Sequence, residues 1–275
     1  MKKGQIVEGI IERVDFPNKG ILRAEDGTRV IVKNAIMGQK VSAAVNKVRK
    51  GKCEGRLLEV LEKSALELPE PGCVHYGICG GCTFQSLPYE EQLSMKEQQV
   101  KDLIDAVITE ENKGYEFLPI KASPRPKAYR NKMEFAFGVS GDGGKALGLR
   151  ERGSRNIVEV TGCLLQTPLT MRVLEAVRML SNGAFHDLDG RFLVVREPNA
   201  GGCFVELIVG AGGSLEAGER FAAALRTEIP EVTGFALSER LAPSDVAYGE
   251  RALYADGRLE ERIGDVRLQM GHNAF

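Results

Sequence analysis

Residues 73–82 read Cys73-Val74-His75-Tyr76-Gly77-Ile78-Cys79-Gly80-Gly81-Cys82 and contain three of the six cysteines of the chain. The glycines of this stretch let the chain fold back, so that several thiolates can converge on one point. They also leave backbone N–H groups free to donate to sulfur. In a chain without a signal peptide, thiols at this density favour a metal centre over disulfide bonds.

A metal centre of this kind needs a further ligand from elsewhere in the chain. Zinc and a four-iron cluster both take four ligands. Cys163 and Cys203 are the candidates outside the stretch, and His75 is another within it. Zinc sites more often combine two pairs of closely spaced cysteines, whereas only one such pair, Cys79 and Cys82, is present here.

The composition is that of an ordinary folded protein. The 275 residues are enough for two domains, and 43% of them are hydrophobic and 27% charged, which argues against long disorder. The longest apolar runs span only a few residues, and the first five residues lack the apolar core of a signal peptide. We therefore expect a cytoplasmic protein that does not span a membrane.

Charge is balanced over the whole chain but segregated along it. The net charge is -1, yet residues 1–63 carry 14 Lys and Arg against 8 Asp and Glu, and residues 121–155 carry 9 against 3. Two basic stretches of this kind can present a cationic face to a polyanion, which favours contact with nucleic acid. The alternative is that these side chains only solvate exposed strands.

The basic N-terminal stretch has the pattern of a small β-barrel. Alternating residues and turn signals predict five short strands, and five strands in about sixty residues indicate a barrel of the OB type, a common binder of RNA. The predicted strands are Gln5–Val14, Gly20–Glu25, Arg29–Val32, Lys40–Val48 and Lys52–Leu61.

Helices and strands mix in the rest of the chain, which favours an α+β fold over a doubly wound one. One helix is predicted from near Ser86 to a point before Gly114, and others at Pro168–Leu180 and Ser214–Glu228. Gly210-Ala211-Gly212-Gly213 stands between a strand and a helix, but the spacing of a nucleotide-binding loop fails. We interpret it as an ordinary strand-to-helix turn.

The spacing of the cysteines and their flanking residues resembles the RNA uracil-C5 methyltransferases that carry a TRAM domain and a [4Fe–4S] cluster, most closely the bacterial 23S rRNA branch. The resemblance extends from the barrel to the last residue. The matching elements are Cys73, Cys79, Gly80-Gly81-Cys82, Phe84-Gln85, Tyr129-Arg130-Asn131-Lys132, Gly148 and Cys163-Leu164-Leu165.

The resemblance implies a domain organisation and a cofactor. It predicts a TRAM barrel at 1–63, an iron–sulfur loop with its helix at 64–114, and a mixed α/β RNA-binding central domain at 115–275. A [4Fe–4S] cluster held by four cysteines would pin the loop to the central domain; they are Cys73, Cys79, Cys82 and Cys163. Cys53 and Cys203 lie outside the motif and are interpreted as ordinary buried thiols.

The resemblance also implies a catalytic part, which we expect to be missing. In the family, a C-terminal Rossmann-like domain binds S-adenosylmethionine (SAM) and supplies the nucleophilic cysteine and the base. This chain ends at Gly271-His272-Asn273-Ala274-Phe275, at the start of a family motif. The prediction is therefore that the Rossmann-like SAM domain is absent, that no catalytic or SAM-binding residue is present, and that the chain alone is inactive, with SAM a cofactor only of a full-length form.

The resemblance implies that the partner is RNA, with 23S rRNA favoured over tRNA. It implies contact with neither DNA nor a membrane, and a monomeric protein. Tyr129 or Phe84 could stack on a base, with core packing as the alternative for each. In the family the helix after the cysteine loop packs on the catalytic domain, so the face formed by Val100, Ile104 and Val107 is expected to be exposed. The predicted RNA contacts are Lys47, Arg49, Lys50, Lys52, Arg125, Lys127, Tyr129, Arg130 and Lys132.

Two other functions remain open from the sequence. The chain could be a non-enzymatic RNA-binding protein that uses the same surface, or a zinc-stabilised RNA-binding adaptor. The metal separates the adaptor from the other two, because an iron–sulfur protein is brown and a zinc protein is colourless.

Overall fold

The computed structural model describes residues 1–49, 51–109, 114–243 and 245–271. Lys50 and the terminal residues 272–275, on which two of the sequence interpretations fall, lie outside the described residues. The chain divides into two compact units, one of residues 1–72 and 82–124, the other of residues 73–81 and 125–275. In the described part of the chain, no helix combines the length and hydropathy needed to span a membrane.

The first unit contains a closed five-stranded barrel, as predicted from the alternation of apolar residues. Its strands follow one another in the order β1-β2-β3-β5-β4, and β4 closes the barrel by pairing with β1. Inward-facing side chains such as Ile11, Val30 and Val41 fill the interior, because successive residues of a strand point to opposite faces. The strands are β1 (Ile6–Asp15), β2 (Lys19–Ala24), β3 (Arg29–Val32), β4 (Lys40–Arg49) and β5 (Lys52–Glu62).

Helix α1 (Tyr89–Asp105) packs against the barrel within the first unit. The side-chain amide of Gln99 is buried and donates to the Val14 carbonyl at 2.7 Å. Phe84 is half-buried against the barrel core, so the core-packing alternative for this ring is confirmed. Of the face expected to be uncovered, Val100 is 43% and Val107 77% exposed, whereas Ile104 is half-buried, so the expectation is confirmed in part.

The second unit is built on a seven-stranded sheet in the order β12-β11-β10-β9-β6-β7-β8. Of its strand pairs in the described chain only β10 with β11 is parallel, since helix α3 carries the chain back between them. A separate hairpin, β13 with β14, follows. The strands are β6 (Lys132–Val139), β7 (Lys145–Arg150), β8 (Ile157–Val158), β9 (Gly190–Arg196), β10 (Cys203–Val209), β11 (Val232–Glu239), β12 (Arg251–Asp256), β13 (Leu259–Ile263) and β14 (Val266–Met270).

Two helices contribute to the main core of this unit together with the sheet, α2 (Pro168–Asn182) and α3 (Leu215–Glu228). Both begin where the sequence predicts, because Thr167 and Ser214 accept hydrogen bonds from backbone N–H groups in the first turn, as N-cap residues do. The glycines before α3 are explained by close packing: a Cβ on Gly213 would lie 2.4 Å from a methyl carbon of Leu253.

An ion pair joins α3 to β12. The guanidinium of Arg226 donates to both carboxylate oxygens of Asp256, at 2.7 and 2.5 Å, and the Phe235 N–H donates to the same carboxylate at 3.1 Å. The Arg226 guanidinium therefore holds the pKa of Asp256 below its ordinary value. A carboxyl group with a depressed pKa stabilises the fold above its unfolded pKa, and this contribution is lost as the pH falls through the folded pKa.

We expect Asp256→Asn to lower the free energy of unfolding by about 1 to 2 kcal/mol at pH 7, because the charged partner of Arg226 is removed. The difference from the unsubstituted protein should shrink as the pH falls below the ordinary carboxyl pKa of about 4 and towards the lower pKa of Asp256 in the folded protein. Urea unfolding at pH 7 and pH 3 measures both. Asp265→Asn, in an exposed turn, is the control and should change the free energy of unfolding little at either pH. An equal loss of unfolding free energy for Asp256→Asn at pH 3 and pH 7 would contradict the assignment of the ion pair.

Candidate functional site

The cysteine loop, residues 73–81, joins the sheet of the second unit at the end of β7. Cys79 forms an isolated antiparallel bridge with Glu151. The Gly80 N–H donates to the Arg150 carbonyl at 2.9 Å, and the Arg152 N–H donates to the Ile78 carbonyl at 2.7 Å. These backbone bonds fix a loop that has no regular secondary structure of its own.

His75 connects the loop to a second segment, residues 161–165, which we call the Cys163 segment. The Thr161 N–H lies 3.0 Å from His75 Nε2, and since a backbone N–H can only donate, Nε2 accepts. The Thr161 hydroxyl lies 3.3 Å from the same nitrogen. This nitrogen is thus engaged with the backbone of the Cys163 segment, a role that the sequence did not reveal because 86 residues separate the partners.

Three of the four predicted ligand cysteines belong to the second unit. The thiols of Cys73, Cys79 and Cys163 are half-buried, and the Gly81 N–H donates to Cys79 Sγ at 3.4 Å. Burial raises the pKa of Cys79; the Gly81 N–H opposes the rise, and the thiols of Cys163 and Cys73 add to it. All three cysteines belong to the second unit.

Cys82, the fourth predicted ligand, is half-buried and follows Cys79 by three residues, in the part of the chain that belongs to the first unit. Among the residues that the structure describes, no three His, Cys, Asp or Glu side chains are already gathered as a metal site. The donor set itself is chemically uniform. Soft thiolates suit iron–sulfur clusters or zinc rather than magnesium or calcium.

Gln166 directly follows the Cys163 segment and has an unusual side-chain environment. It is only 4% exposed, and in the described part of the chain neither its amide nitrogen nor its amide oxygen has a hydrogen-bond partner. A buried amide without a partner is unfavourable by about 1 to 3 kcal/mol. Gln166 follows Cys163 by three residues in the sequence.

The two remaining cysteines are unsuited to such a centre, as the sequence interpretation expects. Cys53 lies in the barrel core and Cys203 in the core of the sheet, both buried. Burial raises the pKa of Cys203 to about 12.

The predicted RNA-contact segment lies directly beside the Cys163 segment. The Ala128 N–H donates to the Leu164 carbonyl at 2.8 Å, and the Arg130 N–H donates to the Leu165 carbonyl at 3.1 Å. We call residues 128–130 the strap. Ala128 has a φ of +50°, a left-handed conformation that costs about 1 to 2 kcal/mol for a residue other than glycine.

Tyr129 lies between the two hydrogen bonds of the strap, and its side chain is 54% exposed. Its ring is therefore available to a ligand, unlike that of Phe84, and the core-packing alternative for Tyr129 is wrong. The sequence could not separate these two aromatic residues, because both stand in short segments without periodicity. Only the tertiary contacts show which ring is covered.

A groove of about 460 Å³ in the second unit brings the loop and the basic residues together. Its lining includes Gly80 and Gly81 together with Arg130, Lys132 and Arg150. Two of these charges are paired: Lys132 with Glu134 at 2.9 Å, and Arg150 with Asp245 at 3.1 Å. Arg125 and Lys127 are exposed on the chain that leads to the strap.

The predicted basic residues of the barrel lie at its β4–β5 end. Lys47, Arg49 and Lys52 are exposed, and Arg49 stands opposite Lys52 in the strand pairing. Lys47 forms an ion pair with Glu54 at 3.1 Å.

A second basic groove in the first unit was not foreseen from the sequence. It measures about 630 Å³ and lies between the barrel and α1, with Lys52 shared between it and the predicted set. Its other basic side chains belong to three neighbouring strands, so the pairing of β1 with β2 and of β2 with β3 brings them together; they are Arg13, Lys19 and Arg29. Outward-facing alternation along β1 to β3 was the one signal that could have identified them.

Known proteins similar to this chain are RNA methyltransferases. An uncharacterized RNA methyltransferase of Nitratidesulfovibrio vulgaris is 37% identical over 284 residues, which cover 99% of this chain and 60% of that protein. One of Caldanaerobacter subterraneus is 45% identical over 153 residues, covering 56% of this chain and 33% of its own length. No family model matches the sequence. The chain thus spans about 60% of the length of the relative that it matches from end to end.

One of the predictions is overturned by these matches. The prediction that a Rossmann-like SAM domain is absent is wrong, because the similarity to methyltransferases covers 99% of the chain and gives no support to a missing domain. The inference rested on the position at which the sequence stops, and a chain end carries no physical information about fold. The expectation that the chain is inactive alone rested on the same premise and loses its basis.

A solved structure with the same fold belongs to Pyrococcus abyssi. It is a tRNA (uracil-54, C5)-methyltransferase in complex with S-adenosyl-L-homocysteine, and it matches 98% of this chain and 60% of its own with a TM-score of 0.66 at 19% identity. At this identity the likeness shows the fold alone. Over nearly its whole length the chain is therefore similar to bacterial RNA methyltransferases, and it shares its fold with an archaeal tRNA uracil-C5 methyltransferase.

Proposed function

We propose that this chain serves the SAM-dependent methylation of uracil C5 in RNA and contributes RNA recognition to that reaction. The observation that carries the proposal is 37% identity to an RNA methyltransferase over 99% of the chain. The fold shared with a tRNA uracil-C5 methyltransferase agrees with the same chemistry. We assign no residue of this chain to the bond-making steps.

The cofactor that we propose for the cysteines is a [4Fe–4S] cluster, with SAM as the methyl donor. Its ligands are Cys73, Cys79, Cys82 and Cys163. When bound, such a cluster cross-links segments that are far apart in sequence. The protein groups prepare this arrangement: the Gly81 N–H donates to the Cys79 sulfur, and His75 holds the Cys163 segment beside the loop.

RNA binding divides into phosphate contacts and base contacts in this proposal. Exposed lysine and arginine side chains are suited to phosphate, while the exposed ring of Tyr129 is suited to stacking on an unpaired base. We propose 23S rRNA as the substrate and a barrel of the TRAM type. The proposed phosphate contacts are Lys47, Arg49, Lys50, Lys52, Arg125, Lys127, Arg130 and Lys132.

Anaerobic purification should yield a brown protein with about four iron atoms per chain. Replacing one ligand, Cys79→Ala, should lower the iron content strongly, since the cluster loses one of its thiolates. The measurement is iron and sulfide analysis together with the visible absorption spectrum. Cys203→Ala is the matched control, because this thiol is buried outside the motif, and it should keep its iron. A colourless protein loaded with zinc would reject the cluster.

Tyr129→Ala should weaken binding to a uridine-containing single-stranded RNA by about 1 to 3 kcal/mol, as expected for the loss of one stacked base. The salt dependence should stay the same, because the tyrosine carries no charge. Arg130→Gln should instead lower the slope of log K against log salt by about one. Tyr248→Ala, which removes another exposed tyrosine of the same unit, is the control. Equal effects of Tyr129→Ala and Tyr248→Ala would reject the stacking role.

The methylation itself is tested in cells of the source organism by deleting the gene that encodes this chain. Mass spectrometry should show the loss of 5-methyluridine from 23S rRNA and its return when the gene is restored. If 5-methyluridine were lost from tRNA alone, tRNA would replace 23S rRNA as the proposed substrate. Unchanged 5-methyluridine in both RNA fractions would reject the proposed function.

A further inference from the structure

The Cys163 segment is hydrogen-bonded on two sides. Its first residue, Thr161, donates to His75 of the cysteine loop, whereas the carbonyls of Leu164 and Leu165 accept from the strap. Cys163 lies between these two sets of bonds. This short segment, which has neither helix nor strand, thus contains a proposed metal ligand and is hydrogen-bonded to the proposed RNA contact.

The conformation of the strap depends on these contacts. Ala128 adopts a left-handed φ of +50°, which an alanine keeps only where surrounding contacts impose it. The bonds from Ala128 to Leu164 and from Arg130 to Leu165 flank Tyr129 and join backbone atoms, so they do not depend on side-chain identity. The direction in which Tyr129 projects therefore depends on where the Cys163 segment lies.

The Cys163 segment in turn depends on its cysteine. The Gln166 N–H donates to the Cys163 carbonyl at 3.2 Å, and helix α2 begins only after Thr167. In the chain between Thr161, which is bonded to His75, and the start of α2, Cys163 is the residue whose side chain a metal centre would hold. Ligation at this sulfur would fix the carbonyls to which the strap is bonded.

We propose that the Cys163 segment couples occupancy of the cysteine site to presentation of the strap, so that RNA affinity depends on the metal although no strap residue is a ligand. The inference rests on the proposed function for the identity of both ligands. With Cys163 ligated, the strap holds Tyr129 and Arg130 in the binding orientation. Because coupling between two sites is reciprocal, bound RNA also slows the loss of the metal.

A single introduced tryptophan reports on the strap, because the chain contains none. Tyr129→Trp places the reporter between the two strap bonds, and Tyr248→Trp places it at an exposed tyrosine of the same unit, outside the strap. Acrylamide quenching of the indole is measured on each anaerobically purified variant before and after iron removal by oxidation and chelation. In the Tyr129→Trp variant quenching should rise about twofold on iron removal, and in the Tyr248→Trp variant it should stay unchanged.

A pair of substitutions at Ala128 tests the strap without touching a cysteine. Ala128→Pro removes the N–H that bonds Leu164 and is incompatible with the positive φ, so RNA affinity should fall although the iron content is kept. Ala128→Gly keeps the N–H and adopts a positive φ readily, so it should bind RNA as the unsubstituted protein does. In Ala128→Pro, added RNA should also no longer slow iron loss.

The outcomes separate this inference from the proposed function. If iron is bound but its removal changes neither the quenching of the strap reporter nor RNA affinity, the coupling is wrong and the cluster stands. If quenching rises equally in the Tyr129→Trp and Tyr248→Trp variants, the protein unfolds generally and the coupling is again wrong. If the unsubstituted protein binds no iron, the proposed cofactor fails and the coupling fails with it.

Discussion

Backbone hydrogen bonds between irregular segments organise the candidate site. Neither the cysteine loop nor the strap, both described in full, contains a helix or strand, and each obtains its conformation from a neighbour: the loop from the end of β7, the strap from the carbonyls of Leu164 and Leu165. Backbone groups that are removed from water need partners, and these bonds supply them for the two segments. The rest of the site follows from where they lie.

One close approach in the sheet determines the position of the Cys163 segment. A Cβ on Gly148 would lie 2.0 Å from the Val158 carbonyl oxygen, so only glycine allows β7 and β8 to come this near. From Val158 the chain continues through Thr161 to Cys163. The glycine thus places a proposed ligand cysteine beside the loop, and through the same segment it places the strap.

Both units carry positive charge that is suited to RNA, and each presents it differently. In the barrel the basic side chains stand on rigid strands, and several are paired with acidic residues, as Lys47 is with Glu54. In the second unit the charges flank an exposed aromatic ring on the strap. Phosphate contacts position an RNA, whereas stacking selects an unpaired base, so the proposed roles of the two units are complementary.

The sequence by itself determined the features that depend on local physics. Alternation predicted the five-stranded barrel, and the predicted helices Pro168–Leu180 and Ser214–Glu228 lie close to α2 and α3, whose N-caps are Thr167 and Ser214. The resemblance, rather than spacing alone, implied the four ligand cysteines, and the structure buries Cys53 and Cys203 as expected. The prediction of a missing SAM domain failed because it was drawn from where the chain stops, which no interaction specifies.

Only the tertiary structure decided which distant residues meet. In the folded protein His75 is hydrogen-bonded to Thr161, and the strap is hydrogen-bonded to Leu164 and Leu165. Phe84 is half-buried while Tyr129 is exposed. One groove is lined by Arg13, Lys19 and Arg29. The physical reason is common to all four. Each contact joins segments that lack periodicity or that lie on different strands, so it depends on how the strands pair and the loops pack rather than on any pattern along the chain.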